Sequence, residues 1–525
     1  MQSLPKGFFA ILLFFFGLLF FIGAPPQKPL NFFDTGIYVQ SVEWVAAGKI
    51  PYLDFATIYM PLQFYLMAAI YSVSGISIIS VVESFGLLNS LIVGPLVVFL
   101  LARKLMKTSL FAFLAAFLGV LGIYWLTVRV YPAILSILFL IYFFEKGKKW
   151  FLALAGVMAG IIFLLSHEIF VYLIAASTVF FLLDFFVLKQ KFKTTKNLME
   201  TKFFFFPGVL AVALFILWLA INGALGYAFD DLVLYVPRFA ETISRPIPPL
   251  AGLLPQALDL HSVGLALAGL SFKFYFPIAV YLVSAIYFVQ KHRSKQFSQT
   301  DFFALLVFLF GVFLFKSATT RVDFSHVAFA VAPAYILLVF MLEKISINAA
   351  KDFSAKFGRK IPAIIAILFV FLFFIYFFVN GGFLQKTVDG LNALNNPLGN
   401  RIVSFQQLQE EFLSAEQKEL VEFIHRNTSE NEPVFVLPTE PLYYYFLQRP
   451  NPSRHMLVYP YNTEQEIDEI ISALEEKKPR YIVYSDSEVD GKKLSDFSPK
   501  LHNYVMQNYA PVKSFSGVRV FERSG

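Results

Sequence analysis

NFFDTGIYVQSVEWVAAGKIPYLDFATIYMP, residues 31–61, is the stretch on which the architecture of this chain turns. Three carboxylates, Asp34, Glu43 and Asp54, sit among aromatics, with a Gly48-Lys49-Ile50-Pro51-Tyr52 turn between the second and third. An apolar run over about Phe8 to Gly23 precedes it, which makes it the first segment beyond a membrane helix. A plain connector between two membrane helices has no need of that composition.

The rest of the chain supports the membrane reading. Hydrophobic residues make up 57% of 525, Phe alone numbers 65, and the mean hydropathy is +0.65. There are no cysteines, which excludes disulfide frameworks and thiolate metal sites. The net charge of +7 gathers in short loops between apolar runs, a topology signal and not a nucleic-acid footprint. The opening MQSLPKG and its apolar run resemble a signal peptide. The run is long, however, and Ala-Pro-Pro is a poor cleavage site, so a retained helix is expected.

Spanning-length apolar runs lie near 8–24, 81–102, 108–127, 131–144, 150–166, 169–188, 203–221, 272–290, 302–316, 326–343 and 361–380. With Lys6, alternate loops from Arg103 to Lys360 hold twenty Lys and Arg. The intervening loops hold eight: Lys28, Lys49, Arg129, Arg238, Arg245, Lys273, Lys316 and Arg321. That bias places the N-terminus in the cytoplasm. Met60 to Ser74 is also apolar, but counting it as a crossing would move Arg103–Lys107 outside. Read as a juxtamembrane or re-entrant helix over 60–77, it leaves eleven crossings; two more in this region would give thirteen. Either number puts the C-terminus outside.

The expected fold is therefore an α-helical polytopic plasma (inner) membrane protein with a small C-terminal extracytoplasmic α/β domain. Residues 1–384 form the transmembrane part, with outer loops at 25–80 and 222–270, and 385–525 the outer domain. In the latter, Leu413 to His425 and Glu464 to Glu476 have helical spacing. Pro433 to Leu437 and Arg480 to Tyr484 read as strands, and Val512 to Glu522 would close the sheet. It contains no glycine-rich phosphate loop or metal-spaced cluster, and the chain shows no internal repeats.

With this topology the unusual polar residues collect on the outer face. They are the three loop carboxylates, Arg129 with Tyr131, His167-Glu168, the 222–270 loop with Asp230, Asp231, Arg238 and Arg245, and Lys316, Arg321, Asp323 and His326. Ionisable groups at membrane depth are costly, so their convergence marks a functional cavity. Each also has a plain reading. Asp34 fits the cap of a helix running to Ala47 as well as a chemical role. Asp54 reads as a turn residue and Asp230-Asp231 as a surface turn with no third cation ligand. His167-Glu168 fits either a helix turn at the interface or a site, and Arg321 to His326 either an ion pair or a phosphate clamp.

The pattern Asp34, Tyr38, Gly48, Pro51, Tyr52, Asp54, Phe55, Pro61 and Leu62 resembles the GT-C glycosyltransferases. Within them it is most similar to bacterial relatives of the protein O-mannosyltransferases and of the lipid A aminoarabinose transferase. The resemblance implies a sugar donor on a polyprenyl-phosphate carrier, used on the non-cytoplasmic face, with an acidic catalytic residue at Asp34. Arg321-x-Asp323-x-x-His326 followed by Pro333 is similar to a late-helix motif of these relatives, whereas His167-Glu168 stands where some carry Lys-Gln. Many members pair two acids at the catalytic position; here Thr35 follows Asp34. That departure leaves a single-carboxylate mechanism, with no cofactor expected and a divalent cation unsupported.

Such chemistry needs a base for the acceptor hydroxyl and cations for the departing phosphate. Asp34 would be the base, and Arg321, His326, Lys316 and Arg129 would hold phosphate. Tyr38, Glu43, Tyr52, Asp54, His167, Glu168, Arg238 and Arg245 are candidates for substrate binding. The partners are the lipid-linked donor, a lipid, glycan or protein acceptor, and membrane lipids, with no nucleic acid. Competing readings are a transporter or flippase of lipid-linked sugars, a glycan polymerase or ligase, and a non-catalytic envelope assembly protein. A transporter should show repeated halves and midplane polar residues, and neither is visible.

Overall fold

The computed structural model describes the chain apart from residues 1–6, 25–30, 123–127, 189–197, 236–243, 256–261, 263–264, 268, 357–382, 395–404, 460–462, 516 and 525. It divides into two compact units. One comprises residues 1–24, 86–214 and 244–397; the other comprises 25–85, 215–243 and 398–525.

The first unit is helical, with one continuous apolar core rich in interlocked phenylalanines. Phe144, Phe180 and Phe302 pack with ring centroids 4.5–5.4 Å apart, the offset and edge contacts that aromatic quadrupoles favour. Glu343 is 1% exposed, and its carboxylate accepts the backbone N–H groups of Lys107 and Thr108 at 2.9 and 2.8 Å. It thereby satisfies donors at the start of the Ser109–Gly122 helix that have no intrahelical partner.

Among the described residues, five helices are long and apolar enough to cross a membrane. They are Ile78–Leu105, His167–Val187, Lys202–Ile221, Leu270–Arg293 and Gln299–Thr320. The third presents its apolar side chains outward (Phe206 is 65% exposed, Ile221 75%), as a helix meant for lipid does. Shorter apolar helices include Phe8–Gly23, Lys149–Leu165 and Leu62–Ser74. The last of these occupies the 60–77 segment. The expected run at 361–380 lies outside the described residues.

Two expected crossings differ in shape. The 326–343 run is two helices, Phe324–Ala330 and Ala332–Lys356, bent by 50°. Pro333 explains the break, because it has no N–H to give to the preceding turn. The 81–102 run is longer than expected and passes through a π-helical segment, Asn89–Val93. Pro95 cannot donate to the Leu91 carbonyl. Gly17 packs against that carbonyl so closely that a Cβ there would lie 2.2 Å from the oxygen.

The second unit joins the first loop to the C-terminal α/β part. The Asp34–Ala46 helix is buried along most of its length and packs on the Leu442–Leu447 helix. Gly36 makes the close approach possible, since a Cβ there would meet the Leu442 backbone nitrogen at 2.5 Å. The sheet has strand order β1-β2-β4-β3. β1 (Val434–Leu437) runs parallel to β2 (Tyr481–Ser485), and β4 (Val518–Arg523) runs antiparallel to both β2 and β3 (Tyr509–Phe515). Helix Ala415–Asn427 starts in a Ser414–Gln417 capping box, and Glu464–Lys477 in one formed by Thr463 and Glu466. The single closing strand expected at Val512–Glu522 is a hairpin. Gly517, at φ +77°, turns the chain there.

Candidate functional site

Each unit holds a cluster of the polar residues singled out above. In the first unit the centre is Asp323. It caps the Phe324–Ala330 helix, with Oδ1 accepting the His326 N–H at 2.8 Å. The same oxygen lies 2.8 Å from His326 Nδ1, while Oδ2 accepts Arg321 Nε–H at 2.7 Å. One carboxylate thus fixes both the plane of a guanidinium and the orientation of an imidazole. Burial pushes the Asp323 carboxyl up, but the bonds and charge of His326, helped by Arg321, hold it well below its usual value. Arg245 joins this cluster through the backbone, forming an isolated parallel bridge with Arg321.

Lys316 is exposed one turn before the end of the preceding helix, 3.3 Å from Thr320 Oγ1. Arg129 lies in the short turn before the Tyr131–Lys146 helix, where its charge reaches His167. His167 and Glu168 open the helix that Ser166 caps, and Glu168 accepts the Tyr172 hydroxyl at 2.6 Å. The interruption of the apolar hairpin is therefore a capped helix start, with Glu168 favourably placed in its first turn. Arg238 lies outside the described residues.

In the second unit the expected cap at Asp34 is made by Asn31. The Asn31 side-chain oxygen Oδ1 accepts the N–H groups of Phe33 and Asp34 at 3.0 and 2.9 Å, and its side-chain Nδ2 donates to Asp34 Oδ2 at 2.9 Å. Asp34 is instead a half-buried carboxylate in the first turn, stabilised by the positive end of the helix. Tyr38, one turn further, is buried and stacks on Tyr59 with centroids 5.5 Å apart. Tyr52 is fully buried at φ +73°, and its hydroxyl donates to the Tyr59 carbonyl at 3.0 Å. Asp54 is exposed and closes the turn by accepting the Ile50 N–H at 2.6 Å. Glu43 accepts the side-chain amides of Gln40 and Gln448, each at 2.9 Å.

Asp231 departs from the surface turn expected of it. It is 2% exposed and faces Arg454, whose terminal nitrogens lie 3.2 and 3.3 Å from its two oxygens. Asp231 also accepts the Thr57 N–H at 3.1 Å. Arg454 further donates to the Tyr52 carbonyl at 3.0 Å and to Glu469 at 3.2 Å, and its guanidinium lies 4.9 Å from the Tyr227 ring centre. His455 adds a 3.0 Å contact to Glu469. Burial lifts the Asp231 carboxyl above its usual value, and Arg454 works against that lift. Sequence reasoning missed Arg454, His455 and Glu469. No local pattern announces a pair separated by more than two hundred residues.

No family profile and no curated protein matches the chain. Among solved structures it is similar to the crystal structure of ArnT from Cupriavidus metallidurans in the apo state. The TM-score is 0.50, at 13% sequence identity over 97% of both chains. The same enzyme bound to undecaprenyl phosphate gives a TM-score of 0.49 at 14% identity, over 98% of both chains. The fold is therefore that of ArnT.

Proposed function

We propose that this chain is a membrane glycosyltransferase that moves a sugar from a polyprenyl-phosphate carrier to an extracytoplasmic lipid, glycan or protein acceptor. The observation that carries the reading is the Arg321–Asp323–His326 cluster, on a fold shared end to end with a GT-C enzyme. A guanidinium and an imidazole oriented by one carboxylate suit a phosphate, because arginine forks two oxyanions and His can supply a proton or a charge. The Asp323 carboxylate keeps both groups in place without itself competing for the substrate proton.

In the proposed reaction the acceptor hydroxyl oxygen forms a bond to the sugar C1, and the C1–O bond to phosphate breaks. Its electron pair leaves with polyprenyl phosphate. Asp34 takes the acceptor proton, and Arg321 and His326 stabilise the negative charge growing on the leaving phosphate. The single carboxylate and the paired cations make the reaction metal-independent in this account. The N-terminus is assigned to the cytoplasm and the α/β part to the far side, as the loop charges require.

The test is turnover with a radiolabelled polyprenyl-phosphate sugar. Asp34→Asn should bind donor and fold normally while losing transfer. Retained turnover in that variant would remove Asp34 from the role of base. Movement of the intact labelled lipid across a vesicle bilayer without sugar transfer would favour the flippase reading instead.

A further inference from the structure

A cavity in the second unit is not used by this chemistry. It has a volume of about 410 Å³ and is lined by Glu43, Tyr71, Ser77, Phe405, Tyr445 and Gln448 among others. That volume lies in the range of small-molecule sites, about 300–1,000 Å³. All of the lining residues belong to the second unit.

The cavity is separate from the carboxylate assigned to transfer. Glu43 lies nine residues beyond Asp34 in the same helix. At 1.5 Å and 100° per residue that is about 13–14 Å along the axis and half a turn around it. The two carboxylates therefore lie near opposite ends and on opposite faces of one helix. A sugar ring seated at one cannot touch the other.

The lining has a recognisable chemistry. Gln448 Nε2 donates to Glu43 Oε1 at 2.9 Å and Gln40 Nε2 to Oε2 at 2.9 Å, which holds the carboxylate in a fixed plane. A carboxylate oxygen carries two lone pairs, so each can accept a further hydroxyl. Tyr71 and Tyr445 supply hydroxyls and ring faces, Phe405 a ring face and Ser77 a hydroxyl. Phe405 and Tyr445 are locked edge to face with centroids 5.4 Å apart. Flat apolar faces beside a planar hydroxyl-binding group match an object with C–H faces and hydroxyl edges.

We propose that this cavity is a carbohydrate-binding site, in which Glu43 and Gln448 hydrogen-bond the hydroxyls of a pyranose ring and the aromatic side chains pack on its faces. An ammonium ligand is the poorer fit. The charge of Lys49 already acts on Glu43, whose carboxyl burial pushes up against the opposing effects of Gln448, Gln40 and that lysine. The proposal rests on the glycosyl-transfer reading for its view that sugars are what this unit meets. In that setting the site holds part of a glycan acceptor away from the bond being made.

The experiment is ligand-observed NMR on the full-length protein in nanodiscs. The probes are methyl glycosides of glucose, galactose, mannose, rhamnose and N-acetylglucosamine, with their β-linked and α-linked disaccharides. Methylammonium serves as the cationic competitor. At least one saccharide should bind and lose tenfold or more of its affinity in Glu43→Ala and in Gln448→Ala. Gln448 is exposed, so its variant remains informative if Glu43→Ala fails to fold. Asp34→Asn should bind the same saccharide as well as the parent protein does. Failure of every saccharide to bind, binding unmoved by either pocket variant, or displacement by methylammonium would each overturn the proposal. Saccharide binding that survives in a protein with no transferase turnover would keep the site and remove the function proposed above.

Discussion

Replacing Arg454 with alanine strands the Asp231 carboxylate inside the second unit. The wild-type guanidinium contacts both Asp231 oxygens at 3.2 and 3.3 Å, the Tyr52 carbonyl at 3.0 Å and Glu469 at 3.2 Å. Breaking a buried ion pair on one side costs about 3–5 kcal/mol. Asp231 keeps its bond from the Thr57 N–H and can take up a proton, so about 3 kcal/mol is expected here. For a body of roughly 150–250 residues that corresponds to a fall in apparent Tm of about 6–12 °C. The cost should grow with pH. Without the arginine the folded carboxyl titrates further above its unfolded value, so its contribution is most favourable in acid and is lost as pH rises. The assay is thermal unfolding in micelles between pH 5 and 8, together with hydrogen exchange at the Thr57 amide. Exchange there should accelerate by about a hundredfold, because roughly 1.4 kcal/mol is a factor of ten. Arg454→Met with Asp231→Asn should recover much of the loss, as the stranded charge is gone. A Tm within about 1 °C of wild type with Thr57 protection unchanged would refute the reasoning, as would a cost that shrinks with rising pH.

The other predictions concern the two clusters and the sheet domain. Arg321→Ala should lower kcat about 10²–10³-fold, the usual effect of losing one preorganised charge in a transition state, and Arg321→Lys should restore little of it because lysine cannot fork. Asp323→Asn should weaken the same step while phosphate inhibition falls in parallel; unchanged kinetics would mean that Asp323 does no more than cap its helix. Glu469 is held down to about 2 by its bond to His455 and by Arg454, against burial, so its stabilising contribution is complete above about pH 4.5 and fades as pH falls toward 2. Wild type should lose more Tm than Glu469→Gln between pH 5 and 2.5, and identical slopes would contradict this. Turnover should be unaffected by excess EDTA, and restoration of lost activity by Mg²⁺ or Mn²⁺ would place a metal in the reaction.

What the sequence revealed depended on how local the physics is. Apolar runs of spanning length and the Ser414 and Thr463 caps depend on neighbours in the chain, and helices begin where those signals lie. Proline effects are local too, yet the bend at Pro333 and the π segment before Pro95 escaped a reading by hydropathy alone. The Asp34 cap was misread because Asn31, three residues earlier, has the same capping chemistry and the better position. At Arg321 to His326 the i, i+2, i+5 spacing already suggested one cluster, and a single carboxylate organises it. Arg245 and Arg454 could not be assigned to their partners in this way. Their neighbours are far away in the chain, and only the folded backbone brings them together.

The central claim is transfer of a sugar from a lipid phosphate with Asp34 as base. The most direct measurement is single-turnover release of polyprenyl phosphate from a labelled polyprenyl-phosphate sugar by purified wild type and Asp34→Asn, at matched folding and donor occupancy. The account predicts acceptor-dependent release by wild type and a loss of about 10²–10⁴-fold in the variant, the range for a general base. Equal release from both proteins, or none from wild type with any lipid-linked donor, would contradict it.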